Sequence, residues 1–306
     1  MIELRDVTKI YPSLFGQPVR AVEDFSLRAE PGEVLGIAGP NGAGKSTVIA
    51  LLLGYLAPTR GTVSIAGRPP REYITRHGIG YLSELIAIPP RWTVDRALTR
   101  YGLLAGLAGT ALAARRDELV ELLGLRPHRR KQVRQLSKGN AQRLGLAQAL
   151  MRDDRVMIFD EPTHGLDPLW IQRFRDLARA LRRPDRTMLV ASHDLDELQR
   201  VADRVAIIDG GRLQRIVDTR AAASAAHGSR QPYVLTLAAG AEGLTAVFPG
   251  ARPLGGGVYE IPPLDLSALN AGVARLIASG ALVSAVAPAY SVLERQFREA
   301  VGERTT

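Results

Sequence analysis

The sequence predicts an α/β protein built on a largely parallel sheet, followed by a small α+β unit. Two observations carry this expectation. Up to about residue 220, short apolar runs alternate with helical patterns, as in parallel sheets covered on both faces. Beyond an Ala/Gly/Ser stretch at 221–230, three further strand-like runs are interleaved with helical segments. The implied layout is a first domain over 1–220 with a helical part at about 93–152, a linker at 221–230, and an accessory α+β domain over 231–306.

Taken in order, residues 33–38 (Glu-Val-Leu-Gly-Ile-Ala) read as a buried strand, and a helix begins near Lys45. Residues 93–152 read as helices with no convincing strand, so they form an insertion into the sheet. Residues 155–159, 187–191 and 204–208 are three more buried strands, each beside a helix. In the tail, residues 233–237, 258–261 and 281–286 read as strands, with helices near 266–278 and 291–301. The longest uncharged stretch, 276–293, is broken by Ser279-Gly280, Ser284 and Pro288, so it reads as helix end, strand and new helix. A membrane-spanning helix needs about 20 predominantly apolar residues, and none is expected here. Met1 to Asp6 carries acids and no apolar core, so no secretory leader is expected there.

At 306 residues the chain has room for two domains, and 46% hydrophobic with 23% charged residues is ordinary for a globular protein. The absence of cysteine excludes disulfides, thiolate metal sites and Cys nucleophiles. The net charge of +9 raises the question of nucleic acid. Residues 221–306, however, hold six Arg against six acids, so the excess belongs to the first domain. Within it, residues 115–134 carry seven cations against Asp117, Glu118 and Glu121, which suits a surface facing anionic lipid headgroups. No nucleic-acid partner is expected.

The chemistry is concentrated in a few segments. Gly39-Pro40-Asn41-Gly42-Ala43-Gly44-Lys45-Ser46-Thr47 fits GxxxxGK[ST] between a strand and a helix. Its glycines let backbone N–H groups curl around phosphate oxygens, and the helix N-terminus adds positive charge. Lys45 is then expected to bridge the β- and γ-phosphates of a nucleotide, and the Ser46 hydroxyl to ligate Mg²⁺. Asp160 and Glu161 close an apolar strand about 115 residues downstream. A carboxylate there suits Mg²⁺ opposite the phosphates, and a second beside it suits a base that polarises water. Leu136 to Asn140 precede a helix, with Ser137 placed to cap it and Gly139 permitting close backbone approach.

This order of segments, with Gly165-Leu166-Asp167-Pro168 and Ser192-His193-Asp194 after it, resembles the ATP-binding cassette ATPases over residues 1 to about 218. The resemblance implies a phosphate-loop NTPase core with an antiparallel β part and a helical subdomain. It implies that Tyr11 stacks on adenine, and that Ser137 and Gly139 contact the γ-phosphate bound to an opposing copy. Asp160 would hold Mg²⁺, Glu161 would be the catalytic base, and His193 would sense the γ-phosphate. Asp167 falls in the loop that crosses the dimer interface. Four positions depart from the family pattern: Lys138 and Asn140 in the signature, Glu84 where Gln is usual, and His164 where Ser is common. Glu84 could contact Mg²⁺ through its carboxylate.

The partners implied are a second cassette, joined head to tail, and a separate membrane permease, which places the chain peripherally on the cytoplasmic face of the cell membrane. Residues 92–98 and 101–104, with Leu293-Glu294-Arg295-Gln296-Phe297 in the tail, resemble exporter ATPases for drugs, antibiotics and polysaccharides. Two alternatives stay open at this point: a soluble ATPase of DNA repair or translation, and a regulatory cassette that binds ATP with little turnover. Lys45→Ala is expected to abolish ATP binding, and unchanged affinity in an equilibrium titration would contradict the phosphate-loop assignment.

Overall fold

The computed structural model describes residues 1–12, 17–221 and 230–302. The chain divides into two units, Met1–Val217 and Asp218–Thr306. The predicted linker lies almost wholly outside the described residues.

The first unit opens on β1 (Ile2–Tyr11) and β2 (Val19–Ala29), which with β4 (Arg60–Ile65) form an antiparallel sheet in the order β2-β1-β4. Alternation explains it: Ile2, Leu4, Phe25, Leu27 and Ile65 turn inward while Arg5, Ser26 and Arg28 stay exposed. The main sheet combines β3 (Val34–Ala38), β5 (Gly80–Leu82), β6 (Val156–Asp160), β7 (Thr187–Ser192), β8 (Arg204–Asp209) and β9 (Arg212–Asp218), in the order β5-β6-β7-β3-β8-β9. The pairs β5–β6, β6–β7, β7–β3 and β3–β8 are all parallel. Their continuous apolar runs are buried at every position of β3, β6 and β7.

Helix α1 (Lys45–Leu52) follows β3 and buries Val48, Ile49, Leu51 and Leu52 in one cluster with Val22 and Phe25 of the antiparallel sheet and Leu35, Ile158 and Leu189 of the parallel one. The short α2 (Pro70–His77) leads into β5. The insertion is helical, as expected: α3 (Val94–Leu104), α4 (Gly109–Leu122) and α5 (Lys138–Ala149), with no strand among its described residues. Thr93 caps α3, and Ser137 caps α5 by accepting the Asn140 N–H at 3.3 Å. Helices α6 (Pro168–Ala180) and α7 (Leu195–Val201) flank β7, capped by Asp167 and Asp194.

The second unit contains β10 (Gln231–Ala239), β11 (Arg252–Gly255), β12 (Val258–Leu264) and β13 (Leu282–Pro288), paired antiparallel in the order β11-β12-β10-β13. With a one-turn helix at Leu244–Val247 and a longer one at Leu266–Ala278, this is a β-α-β-β-α-β arrangement. Three of its strands are those expected. β11 was not expected, because every residue of Arg-Pro-Leu-Gly is exposed and no apolar alternation marks it. It exists through its ladder to β12.

The tail core joins Tyr233, Leu235, Leu237, Phe248, Ile261, Leu269 and Leu276. Gly272 lets the helix Leu266–Ala278 lie on the buried Phe248, since a Cβ there would come within 2.3 Å of the ring. Gly272→Ala is therefore expected to destabilise the tail by about 1–3 kcal/mol through overpacking. Thermal melting of the full chain should show a lowered tail transition with ATP affinity unchanged.

Candidate nucleotide-binding site

Residues 39–44 loop from the end of β3 into α1. Gly44 occupies the cap position at φ 106°, and a Cβ there would stand 2.5 Å from the Ala21 carbonyl oxygen, so this position requires glycine. No side chain caps α1 and no acid stands in its first turn. Its N–H groups and dipole are thus available to an anion. Lys45 Nζ donates to the carbonyls of Gly39 at 2.6 Å and Pro40 at 3.2 Å. Asn41, Gly42, Ala43, Gly44, Lys45, Ser46 and Thr47 line a cavity of about 520 Å³. It is completed by Val19, Arg20 and Ala21 of β2 and by Glu84, Asp160, Glu161, His164 and His193. The acids and His193 lie at or just beyond the carboxyl ends of β5, β6 and β7, where parallel sheets bind their ligands.

Asp160 ends β6, and its carboxyl is pushed up to about 6 by burial first, then by Glu84 and Glu161, with Lys45 opposing. Lys45 is held below the usual lysine range because burial outweighs the attraction of Glu161, Asp160 and Glu84. Glu161 is buried and sits at φ 47°, a conformation costly for any residue with a Cβ. Its N–H donates to the Ala191 carbonyl at 2.9 Å, extending the ladder to β7. Its Oε1 accepts the His193 backbone N–H at 2.9 Å, and its Oε2 accepts the Ser192 hydroxyl at 3.1 Å. His193 Nδ1 lies 2.9 Å from the same Oε2. An ionised carboxylate only accepts, so Nδ1 carries the proton of that contact.

The signature residues lie elsewhere. Ser137, Lys138, Gly139, Asn140 and Arg143 line a second cavity of about 320 Å³ with Gly165, Leu166, Asp167 and Trp170. The two cavities share no lining residue. Tyr11 pairs with Val19 at the end of β1, 36% exposed, with Lys9 Nζ 5.6 Å from its ring centre; it is not among the residues lining the phosphate-loop cavity.

A family model described as ABC transporter matches residues 22–164. The ABC transporter ATP-binding protein NatA of Bacillus subtilis (strain 168) is 35% identical over 217 residues, which is 70% of this chain and 87% of NatA. The chain belongs to the ABC transporter family of ATP-binding proteins. Nod factor export ATP-binding protein I of Rhizobium etli is 34% identical over 213 residues, 69% of this chain and 66% of that protein. The match spans only 61% and 63% of the length of two uncharacterized relatives from Synechocystis and Nostoc. Among solved structures, the dimeric MJ0796, a bacterial ABC transporter cassette, aligns with a TM-score of 0.66 at 25% identity, over 72% of this chain and 99% of that one.

Several residues of this cassette's site escaped sequence reasoning. Arg20 and its neighbours reach the cavity from a strand about twenty residues before the loop, with no local motif. Ser192 counted only as the residue before His193, yet its hydroxyl holds Glu161. His164 was marked by its departure from the family pattern; it lines the phosphate-loop cavity and meets Lys138 of the signature through Nε2. Buried Gln142 donates from Nε2 to the carbonyls of Glu161 at 3.0 Å and Pro162 at 3.1 Å, and nothing in its sequence context marked it.

The raised Asp160 carboxyl has a consequence for stability. Between 3.8 and about 6 the folded state binds the extra proton, so folding stability falls as pH rises through that window. Without nucleotide or metal, Asp160→Asn should be more stable than wild type at pH 8, by up to about 3 kcal/mol. The gain should vanish at about pH 4, as followed by urea denaturation.

Proposed function

We propose that this cassette hydrolyses ATP as one half of a head-to-tail dimer that drives a separate membrane permease, in the direction of export. The observation that carries the hydrolytic part is Glu161, a buried carboxylate fixed by Ser192 and His193 at the rim of the phosphate-loop cavity. Lys45 and the loop N–H groups hold the phosphates, and Glu161 takes the proton of the attacking water. His193 donates from Nδ1 to Glu161, so a further donation from Nε2 to a γ-phosphate oxygen requires the imidazolium form. Tyr11 stacks on the adenine at the outer end of β1.

Magnesium fits the remaining groups. The Ser46 hydroxyl and the Asp160 and Glu84 carboxylates are hard oxygen donors. The crowding of Asp160 by Glu84 and Glu161 is the surplus negative charge that a cation relieves. When bound, the ion neutralises charge on the β- and γ-phosphates.

The dimer is supported by the two separate cavities of one chain, because Ser137 and Gly139 need a γ-phosphate that their own phosphate loop does not present to them. A permease partner is supported by exposed apolar side chains after β5 and at the end of α3: Leu85 at 78%, Leu103 at 50% and Leu104 at 81%. No helix among the described residues is long and apolar enough to cross a membrane. Peripheral attachment to the cytoplasmic face also draws on the basic run at 115–134. There Arg115, Arg116, Arg126 and Arg129 form ion pairs with Glu118, Asp117, Glu121 and Asp95. The exposed Arg130, Lys131 and Arg134 carry the attraction to lipid headgroups. Export rests on the similarity to the Nod factor export protein and on the tail.

Glu161→Gln should lower turnover by about a hundredfold or more while retaining ATP binding. Wild-type turnover in that variant would remove Glu161 as the base. Tagged chain should co-purify with a polytopic membrane protein from solubilised membranes. Recovery with ribosomes or DNA instead would overturn the transport reading.

A further inference from the structure

We infer that Gln142 is a positioning residue, which sets the base Glu161 from the signature helix of the same chain. The inference rests on the reading of Glu161 above. Gln142 lies in α5, only 4% exposed, and its Nε2 has two protons for two acceptors, the carbonyls of Glu161 and Pro162. Glu161 stands at φ 47°, and a non-glycine residue keeps such a conformation only where its surroundings over-determine it. Its N–H is held by Ala191 and its carbonyl accepts from both Gln142 and the His164 N–H at 3.1 Å. Loss of the Gln142 donors frees one side of this strained peptide and with it the direction of the carboxylate.

The same helix is locked to the loop after β6 at two more points. Lys138 meets His164, and Gly139 lies so close that a Cβ would stand 2.8 Å from the Gly165 carbonyl oxygen. The first turn of α5 and residues 161–165 therefore move as one piece. Ser137 and Gly139, at the start of that helix, face the neighbour's nucleotide in the proposed dimer. An anion engaged there acts on the helix that also aims Glu161 at the chain's own nucleotide, so Gln142 couples the two sites.

Gln142→Leu removes both donors at similar volume, and Gln142→Glu keeps the shape but can donate only when protonated. In the full chain, Gln142→Leu should lower kcat by at least about tenfold with the Kd for ATP changed by less than about twofold. Gln142→Glu should recover activity relative to wild type as pH falls from about 8 to 6, because a protonated carboxyl regains one donor. A packing role alone would give a pH-independent ratio. If Gln142→Leu does not fold, the pH profile of Gln142→Glu decides. Wild-type kcat in Gln142→Leu, or a flat Gln142→Glu profile, beside an inactive Glu161→Gln would overturn the coupling alone. Full turnover in Glu161→Gln would instead bring down the assignment of the base and this inference with it.

Discussion

The turn that follows β6 is the constraint on which the rest of the site depends. A parallel strand ends at Asp160, and the next residue continues one hydrogen bond of the ladder to β7 while its φ swings to 47°. That single reversal points Glu161 toward the end of β7, where Ser192 and His193 receive it. It also turns the Glu161 and Pro162 carbonyls toward α5. The phosphate loop reaches the same place because β3 pairs with β7 on its other side. Strand order thus brings together groups that stand more than a hundred residues apart.

Charge balance follows from this packing. Three carboxylates gather around one lysine, and burial raises the cost of the charges on Asp160 and Lys45. Asp160 moves up and Lys45 moves down, the reverse of what a simple ion pair would do. A site with this surplus of negative charge is unstable by itself, and a bound cation would relieve it. The stability given up at Asp160 is the counterpart of affinity for such a ligand.

The phosphate loop was legible because a short motif encodes a local shape: glycine where a Cβ would strike Ala21, and an uncapped helix start. The buried strands β3, β6 and β7 were legible from unbroken apolar runs, and α5 from its cap at Ser137. β11 was not, since it has no apolar face and is held by pairing alone. The cationic run at 115–134 read as an open basic surface, yet four of its side chains are tied up in ion pairs. Linear charge counting cannot see that Arg129 bridges Asp95 and Asp117 from separate helices.

By itself the sequence determined which groups can do chemistry: a lysine at a helix start, an acid pair at a strand end, and a histidine after the next strand. These are local facts of backbone conformation and residue type. Only the tertiary structure decided which of them meet. It put Glu84, His164 and Arg20 into the phosphate-loop cavity, kept Ser137 and Gly139 out of it, and tied Gln142 of α5 to the carbonyls of Glu161 and Pro162. The reason is physical. Contacts between distant segments depend on strand order and helix packing, and single polar side chains such as Gln142 leave no periodicity in the sequence when they are buried for their hydrogen bonds.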